Sequence, residues 1–221
     1  MAATFRLSTD VFISALDSNA RQLVDQFERE LIELLGRQRV SRSDVLDRFG
    51  GPSWSAPGAA QILVSTTTHD DWEARAHVMS RVDNSVTVPI VIEHPLVRIG
   101  PVADGVGACS SCMSKRMNQH RLNDDFDHMR RQAFKGTDGG PHLLLPHEVE
   151  VLFAQTLALL QEVAGIDSHR RSGSGRVVWF DLMSSSTTSG AITGVHGCPT
   201  CGGQAGAPAE RTWKFIANKD V

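Results

Sequence analysis

Cys109-Ser-Ser-Cys112 and Cys198-Pro-Thr-Cys201 are the two stretches that decide how this chain is organised. Together they contain all four cysteines of the 221 residues. Two residues separate the thiols in each pair, and this spacing lets both sulfurs of one tight turn reach a single ion. Four thiolates satisfy the tetrahedral preference of Zn²⁺ and leave no position for water. The pattern therefore predicts a structural zinc site with Cys109, Cys112, Cys198 and Cys201 as its ligands.

The 85 residues between Cys112 and Cys198 exceed the spacing of a zinc finger or ribbon, so the metal is expected to join remote segments of one domain. Two other interpretations stay open. A C-x-x-C pair can be a redox dithiol, although neither pair follows a convincing strand-to-helix motif of the thioredoxin kind. The thiols can also remain unpaired. Disulfides are disfavoured because no signal peptide is evident.

Composition narrows the class of protein. The chain is 41% apolar and 21% charged, which is ordinary for a soluble domain, and its net charge of −3 gives no general attraction to nucleic acid. No apolar run approaches the roughly 20 residues that span a bilayer. We therefore expect a cytoplasmic protein without a membrane segment.

The first 50 residues combine short strands with two small helices. Residues 5–16 are β-branched and aromatic, whereas Phe27, Leu31, Leu34 and Leu35 recur at helical spacing. Residues 41–44 are typical of an N-cap for a second helix at 45–49. This order predicts a winged-helix-like module at 1–50, and residues 51–60, rich in Gly, Pro, Ser and Ala, predict a linker.

The remainder alternates strands and helices up to residue 204, followed by a tail at 205–221 with little pattern. The predicted strands are 61–65, 87–92, 96–100 and 176–183, and the predicted helices are 72–82, 114–134 and 147–163. Residues 184–190 are predicted to be a polar hairpin tip that returns the chain to the second cysteine pair.

A strand, Gly100-Pro101, a short loop, Cys109-x-x-Cys112 and a basic helix together resemble the ThiF-type, ubiquitin-activating-like proteins of peptide natural-product pathways. The second pair in His196-Gly-Cys-Pro-Thr-Cys201 resembles the second zinc knuckle of that family. The N-terminal 50 residues are similar to its PqqD-like recognition element. The resemblance implies an α+β fold, with a winged-helix-like module and a truncated ThiF-type α/β domain at 61–204 closed by a tetrathiolate zinc site.

Members of the family that this chain resembles bind the leader of a ribosomally made precursor peptide and act with YcaO cyclodehydratases in thiazole and oxazole formation. The resemblance therefore implies a non-catalytic, leader-peptide-binding partner of a YcaO-type enzyme, and it leaves a dehydrogenase partner and a homodimer open. The chain departs in one respect from the adenylating members of that family. It contains no G-x-G-x-x-G loop, which would bind the phosphates of ATP. The alternatives are an adenylating enzyme with a degenerate nucleotide site and a zinc-stabilised winged-helix nucleic-acid binder.

The recognition element of that family takes up a leader peptide as an added strand, which any exposed sheet edge permits. Here the edge would be the strand at 11–16 or its neighbour. The side chains that are candidates for contact with the peptide are Val11, Ile13, Leu31, Leu35, Val45 and Leu46. Packing in the core of a small module is an equally open interpretation for each of them.

Other polar groups have simpler explanations than catalysis. His196 lies two residues before Cys198 and can donate to a zinc thiolate or be a plain turn residue. His142 and His147 flank a proline and favour a loop and a helix start. The acidic run at 124–127 alternates with arginines and favours a solvated helix face. No catalytic triad, phosphate loop or pair of catalytic acids emerges.

Overall fold

The part of the chain that the structure describes is built around one mixed sheet of seven strands. The computed structural model describes residues 10–42, 59–66, 70–105, 107–119, 144–164 and 175–201. The strands are β1 (Val11–Ala15), β2 (Val40–Arg42), β3 (Ala60–Ser65), β4 (Val86–Glu93), β5 (Leu96–Ile99), β6 (Arg176–Asp181) and β7 (Ser186–Ala191). The helices are α1 (Arg21–Leu35), α2 (Asp70–Asp83), α3 (Ser110–Gln119) and α4 (Pro146–Ala164), and a short 3₁₀ turn covers Arg37–Arg39.

The sheet has a parallel half and an antiparallel half, in the order β2-β1-β3-β4-β5-β6-β7. β1 pairs in parallel with both β2 and β3, and β3 pairs in parallel with β4. Parallel neighbours need a crossover, which α1 supplies between β1 and β2 and α2 supplies between β3 and β4. From β4 to β7 every pairing is antiparallel.

Helices cover both faces of the parallel half. All six residues of β3 are buried, as expected for a strand that is covered on both sides. Because successive side chains point to opposite faces, Ile62 packs in the core cluster that includes α1 and α4, whereas Leu63 packs against Trp72 of α2. The rings of Phe27 in α1 and Phe153 in α4 meet edge to face, 5.2 Å apart.

The expectation of a winged-helix module at residues 1–50 is corrected by the described part of that segment. β1, α1 and β2 form a parallel β-α-β unit, and they belong to the same sheet as β3 to β7. A strand followed by an amphipathic helix fits either fold, and only the pairing partner distinguishes them. Ser41, expected at a helix cap, lies in β2. The helix predicted at 45–49, most of the linker and the tail lie outside the described residues.

Several predicted elements are confirmed within a few residues. The helices at 72–82 and 147–163 are α2 and α4, and the strands at 87–92 and 96–100 are β4 and β5. The helix predicted from 114 begins earlier, at Ser110, because Met113 N–H already donates to the Cys109 carbonyl. Beyond residue 119 that prediction lies outside the described residues.

The hairpin tip predicted at 184–190 is instead mostly strand. Ser186–Ala191 form β7, which pairs over six positions with β6. Periodicity could not reveal this strand, because five of its six residues are exposed and none is large and apolar. Main-chain pairing to β6 holds it in place.

Candidate metal centre

Two loops at the antiparallel half bring the cysteines together. Cys109 stands immediately before α3, and Cys112 lies in the first turn of that helix. In the loop that leads there from β5, the Asp104 carboxylate accepts a hydrogen bond from Gly107 N–H at 3.0 Å. Cys198 and Cys201 come after β7, in a turn that begins at Val195. Gly197 in that turn has a φ of 69°, a conformation that glycine adopts without strain.

The four sulfur atoms form a compact cluster. The Sγ atoms of Cys109 and Cys112 lie 3.8 Å apart, those of Cys109 and Cys198 3.5 Å, and those of Cys112 and Cys201 3.4 Å. All four sulfurs lie within 4.8 Å of one another. A tetrahedron with metal–sulfur distances of about 2.3 Å has edges of about 3.8 Å. The cluster therefore has the dimensions of a tetrathiolate metal site.

The surroundings of the cluster are apolar and closed. All four cysteines are at most 7% exposed, and Ala108, Ile192 and Val195 pack around them. A main-chain group also reaches the cluster, since Val195 N–H donates to the Cys112 Sγ at 3.3 Å. Because the described residues leave little of any cysteine open to solvent, the geometry suits a structural ion better than a catalytic one.

Burial and main-chain hydrogen bonds shift the pKa values of the thiols in opposite directions. Burial raises the pKa of Cys109 to about 12 and also raises the pKa of Cys112. At Cys198 burial also acts to raise the pKa. Hydrogen bonds from the N–H groups of Cys201 and Thr200 and from the thiols of Cys112 and Cys109 together outweigh it and lower the pKa to about 6. A cation at the centre of the cluster would favour the thiolate form of every ligand.

The remaining histidine candidate near the cluster stays at the surface. His196 is exposed. A hydrogen bond to the Cys112 sulfur comes instead from the main-chain N–H of the preceding residue, Val195. Sequence reasoning had no means to find this contact, since any residue type carries an N–H. His142 and the acidic run at 124–127 lie outside the described residues, and His147 lies exposed in the first turn of α4.

Of the predicted peptide contacts, three are core residues. Val11, Ile13 and Leu31 are 0% exposed, and Leu35 packs against the same core. β1 has a hydrogen-bonded neighbour on each side and so offers no edge. Its neighbour β2 is the edge strand among the described residues. The positions of these four side chains therefore agree with packing in the core. Val45 and Leu46 lie outside the described residues.

A second polar site lies where β1 and β3 end and α1 begins. The Asp17 carboxylate accepts hydrogen bonds from Ala20 N–H at 2.9 Å and from Thr66 N–H at 2.7 Å. The hydroxyls of Ser65 and Thr66 donate to it as well, at 3.0 and 2.9 Å. In doubly wound α/β proteins, phosphates bind at such helix N-termini beyond the carboxyl ends of parallel strands. Here a carboxylate of the chain itself takes up these donors.

Comparison with known proteins gives matches in structure alone. No family model matches the chain, and no curated protein matches it by sequence. The heterocyclase TruD has a TM-score of 0.56 at 14% identity, over 88% of this chain. A chain of the E. coli microcin synthetase McbBCD complex with pro-MccB17 bound has a TM-score of 0.56 at 16% identity, over 89% of this chain. E. coli MccB gives 0.53 at 14% identity, over 88%.

The chain shares the fold of these proteins over most of its length. The resemblance drawn from the cysteine segments is thereby confirmed at the level of the fold. The chain spans 28% of the length of TruD, 58% of MccB and 72% of the microcin synthetase chain. Among the described residues, no helix is long and apolar enough to cross a membrane.

Proposed function

We propose that the four cysteines bind one Zn²⁺ and that the chain is a non-catalytic partner protein that binds a precursor peptide and presents it to a YcaO-type modifying enzyme. The observation that carries this proposal is the match to the microcin synthetase chain. It covers most of both chains, and that complex is the one with pro-MccB17 bound. The products would be azolines, azoles or related backbone modifications, with a dehydrogenase as a further partner for azole formation.

Zinc is the metal that fits the ligands best. Four sulfurs at tetrahedral spacing in an apolar, closed environment are typical of structural Zn²⁺. The ion would join the segment before α3 to the segment after β7, which are 89 positions apart along the chain. Its contribution would then be to stability and to the shape of this half of the domain.

The hydrogen bonds of Asp17 argue against an adenylating role. Phosphate oxygens are acceptors, and so are the oxygens of Asp17, which already use the N–H groups of Ala20 and Thr66. A carboxylate at this place also repels a polyphosphate. No glycine-rich loop is present in the sequence to provide a different cradle. These observations favour a binding role over the adenylating alternative.

A reconstituted reaction tests the proposal. The chain, the YcaO-type enzyme and the precursor peptide encoded beside its gene would be combined with ATP, and the loss of one water per ring would be followed by mass spectrometry. We expect modification only when the chain is present. Equal modification without it, or modification by the chain and ATP alone, would refute the partner role. Omission of the leader segment from the peptide is the matched control.

A further inference from the structure

β7 is a free edge of the sheet in the part of the chain that the structure describes. It ends the strand order and pairs only with β6. Ile192 N–H donates to the Gly175 carbonyl, in register with the pairing of Ala191 and Arg176. Hydrogen-bonded and non-hydrogen-bonded pairs alternate along an antiparallel ladder. The N–H and C=O groups of Thr187, Ser189 and Ala191 therefore point away from β6.

The two edges of the sheet differ in how they are protected. Within the described residues β2 has three residues, and Arg42, the last of them, forms ion pairs with Asp25 and Glu28 of α1. β7 has six residues and contains neither a charged side chain nor a proline. Short length and charge are the usual means by which proteins prevent pairing at an edge. β7 has neither of these protections.

We infer that β7 is where an extended segment of the precursor peptide adds as an eighth strand. A second copy of the chain is the less suitable occupant, because stable dimers bury about 1,200–2,000 Å² around an apolar centre. The side chains of β7 are Ser, Thr, Gly and Ala, and they offer no such centre. Pairing through the main chain alone suits a transient peptide partner. The inference rests on the proposed function.

A proline substitution at an outward-facing position of β7 tests whether the peptide binds at this edge and not at another surface. Ser189→Pro removes an N–H that points away from β6 and leaves the ladder to β6 its own donors. Ser189→Ala is the control, since it changes the side chain and keeps the N–H. Fluorescein-labelled leader peptides encoded beside the gene would be titrated against both full-length variants. We expect about tenfold weaker binding for Ser189→Pro and unchanged binding for Ser189→Ala.

Hydrogen exchange locates the peptide independently of the variants. On addition of the leader peptide, the amides of Thr187, Ser189 and Ala191 should become protected. Binding with protection elsewhere and none at β7 would overturn the inference and leave the proposed function standing. Failure of every leader peptide to bind would overturn both. Concentration-dependent protection of β7 without peptide would assign the edge to a second copy instead.

A separate feature lies in the interior, between α2, β4 and the start of α3. A cavity of about 10 Å³, measured for the centre of a water-sized sphere, is lined by residues that include Trp72, His77 and Ser110. These three side chains are at most 4% exposed, and Trp72 Nε1, both ring nitrogens of His77 and Ser110 Oγ have no hydrogen-bond partner in the described structure. A water molecule needs about 10–15 Å³ by this measure and two to four polar partners.

The geometry points to one water molecule that these three side chains share. Trp72 would donate to it, and His77 and Ser110 would complete its hydrogen bonds. Since Ser110 directly follows Cys109, the water would link the first cysteine turn to α2. Three unpaired polar groups would otherwise be costly here, at about 1–3 kcal/mol each.

Magnetisation transfer from water to the indole N–H of Trp72 in the ¹⁵N-labelled full chain tests this. We expect a cross-peak with the sign of a long-lived bound water, assigned by its loss in Trp72→Phe. The cross-peak should weaken in Ser110→Ala, which removes one of the water's hydrogen-bond partners. A protected indole N–H without the cross-peak in the parent protein would show that the cavity is dry.

Discussion

The hydroxyl oxygens of Ser111 and Thr200 lie 3.0 Å apart and connect the two cysteine turns across 89 positions of sequence. Each residue is an inner member of its own Cys-x-x-Cys turn. The contact therefore fixes the two turns relative to each other beside the sulfurs, without using a sulfur as donor or acceptor. A metal ion and this hydrogen bond would hold the same two segments through different side chains. Their contributions to stability can therefore be separated by substitution.

Cys198→Ser should abolish stoichiometric metal binding and lower stability severely. Structural zinc contributes about 10–16 kcal/mol in zinc-finger peptides, which is comparable to the whole stability of a domain of about 5–15 kcal/mol. Elemental analysis of the parent should give one zinc per chain, and thermal unfolding should show the loss in the variant. Thr200→Val, which removes only the hydrogen bond to Ser111, is the control and should keep the metal. Gently purified parent protein without zinc would contradict this.

Metal affinity should rise steeply with pH. Burial raises the pKa of Cys109 to about 12 and raises that of Cys112, so both are protonated at neutral pH without metal. Binding must then release at least these two protons, and each unit of pH should raise the apparent affinity at least about 100-fold. Competition with a zinc chelator between pH 6.5 and 8 measures the slope. An affinity independent of pH would exclude thiolate ligands formed from these thiols.

Loss of one partner from the buried ion pair of Glu73 and Arg98 should be strongly destabilising. Arg98 donates to both carboxylate oxygens, at 2.6 and 3.1 Å, and both side chains are at most 6% exposed. Arg98→Met leaves a buried, uncompensated carboxylate and should cost about 3–5 kcal/mol. Denaturant unfolding would measure it. The double variant Glu73→Leu with Arg98→Met should cost less than the sum of the single changes, and simple additivity would contradict the coupling.

His77 should make the protein less stable in mild acid. Burial lowers the pKa of His77 below its ordinary value of 6.5; Asp104 acts to raise it and Arg81 to lower it further. The unfolded chain then binds more protons at this residue, so stability is full above about pH 6.5 and falls as the pH decreases through that value. His77→Gln, which does not titrate, should show a shallower decline between pH 7 and 5 in denaturant unfolding. Identical slopes would show that His77 is charged in both states or in neither.

Nucleotide should not bind, because Asp17 occupies the donors at the start of α1. Calorimetric titration of the full chain with ATP and Mg²⁺ should give no isotherm. Asp17→Asn should remain without binding as well, since the glycine-rich loop is missing from the sequence. Micromolar binding by the parent would instead support the adenylating alternative.

Local sequence determined what depends on near neighbours. The spacing within Cys109–Cys112 and Cys198–Cys201 already required two turns that each offer a pair of thiols, and the count of four cysteines pointed to a single tetrahedral cluster. The apolar spacing in α1, α2 and α4 gave the helices, and β4 and β5 followed from their β-branched runs. The lack of a glycine-rich phosphate loop was likewise evident from the amino-acid sequence alone.

Tertiary structure alone decided what depends on pairing across the sequence. A strand followed by a helix is compatible with a winged helix or a parallel β-α-β unit, and the long-range pairing of β1 with β3 decided between them. β7 has no periodic apolar pattern, because main-chain bonds to β6 define it. The contacts of Asp17 with Thr66 and of Glu73 with Arg98 join residues 49 and 25 positions apart. Such contacts leave no mark in local composition, because any Asp or Arg can be solvated until the fold brings it a partner.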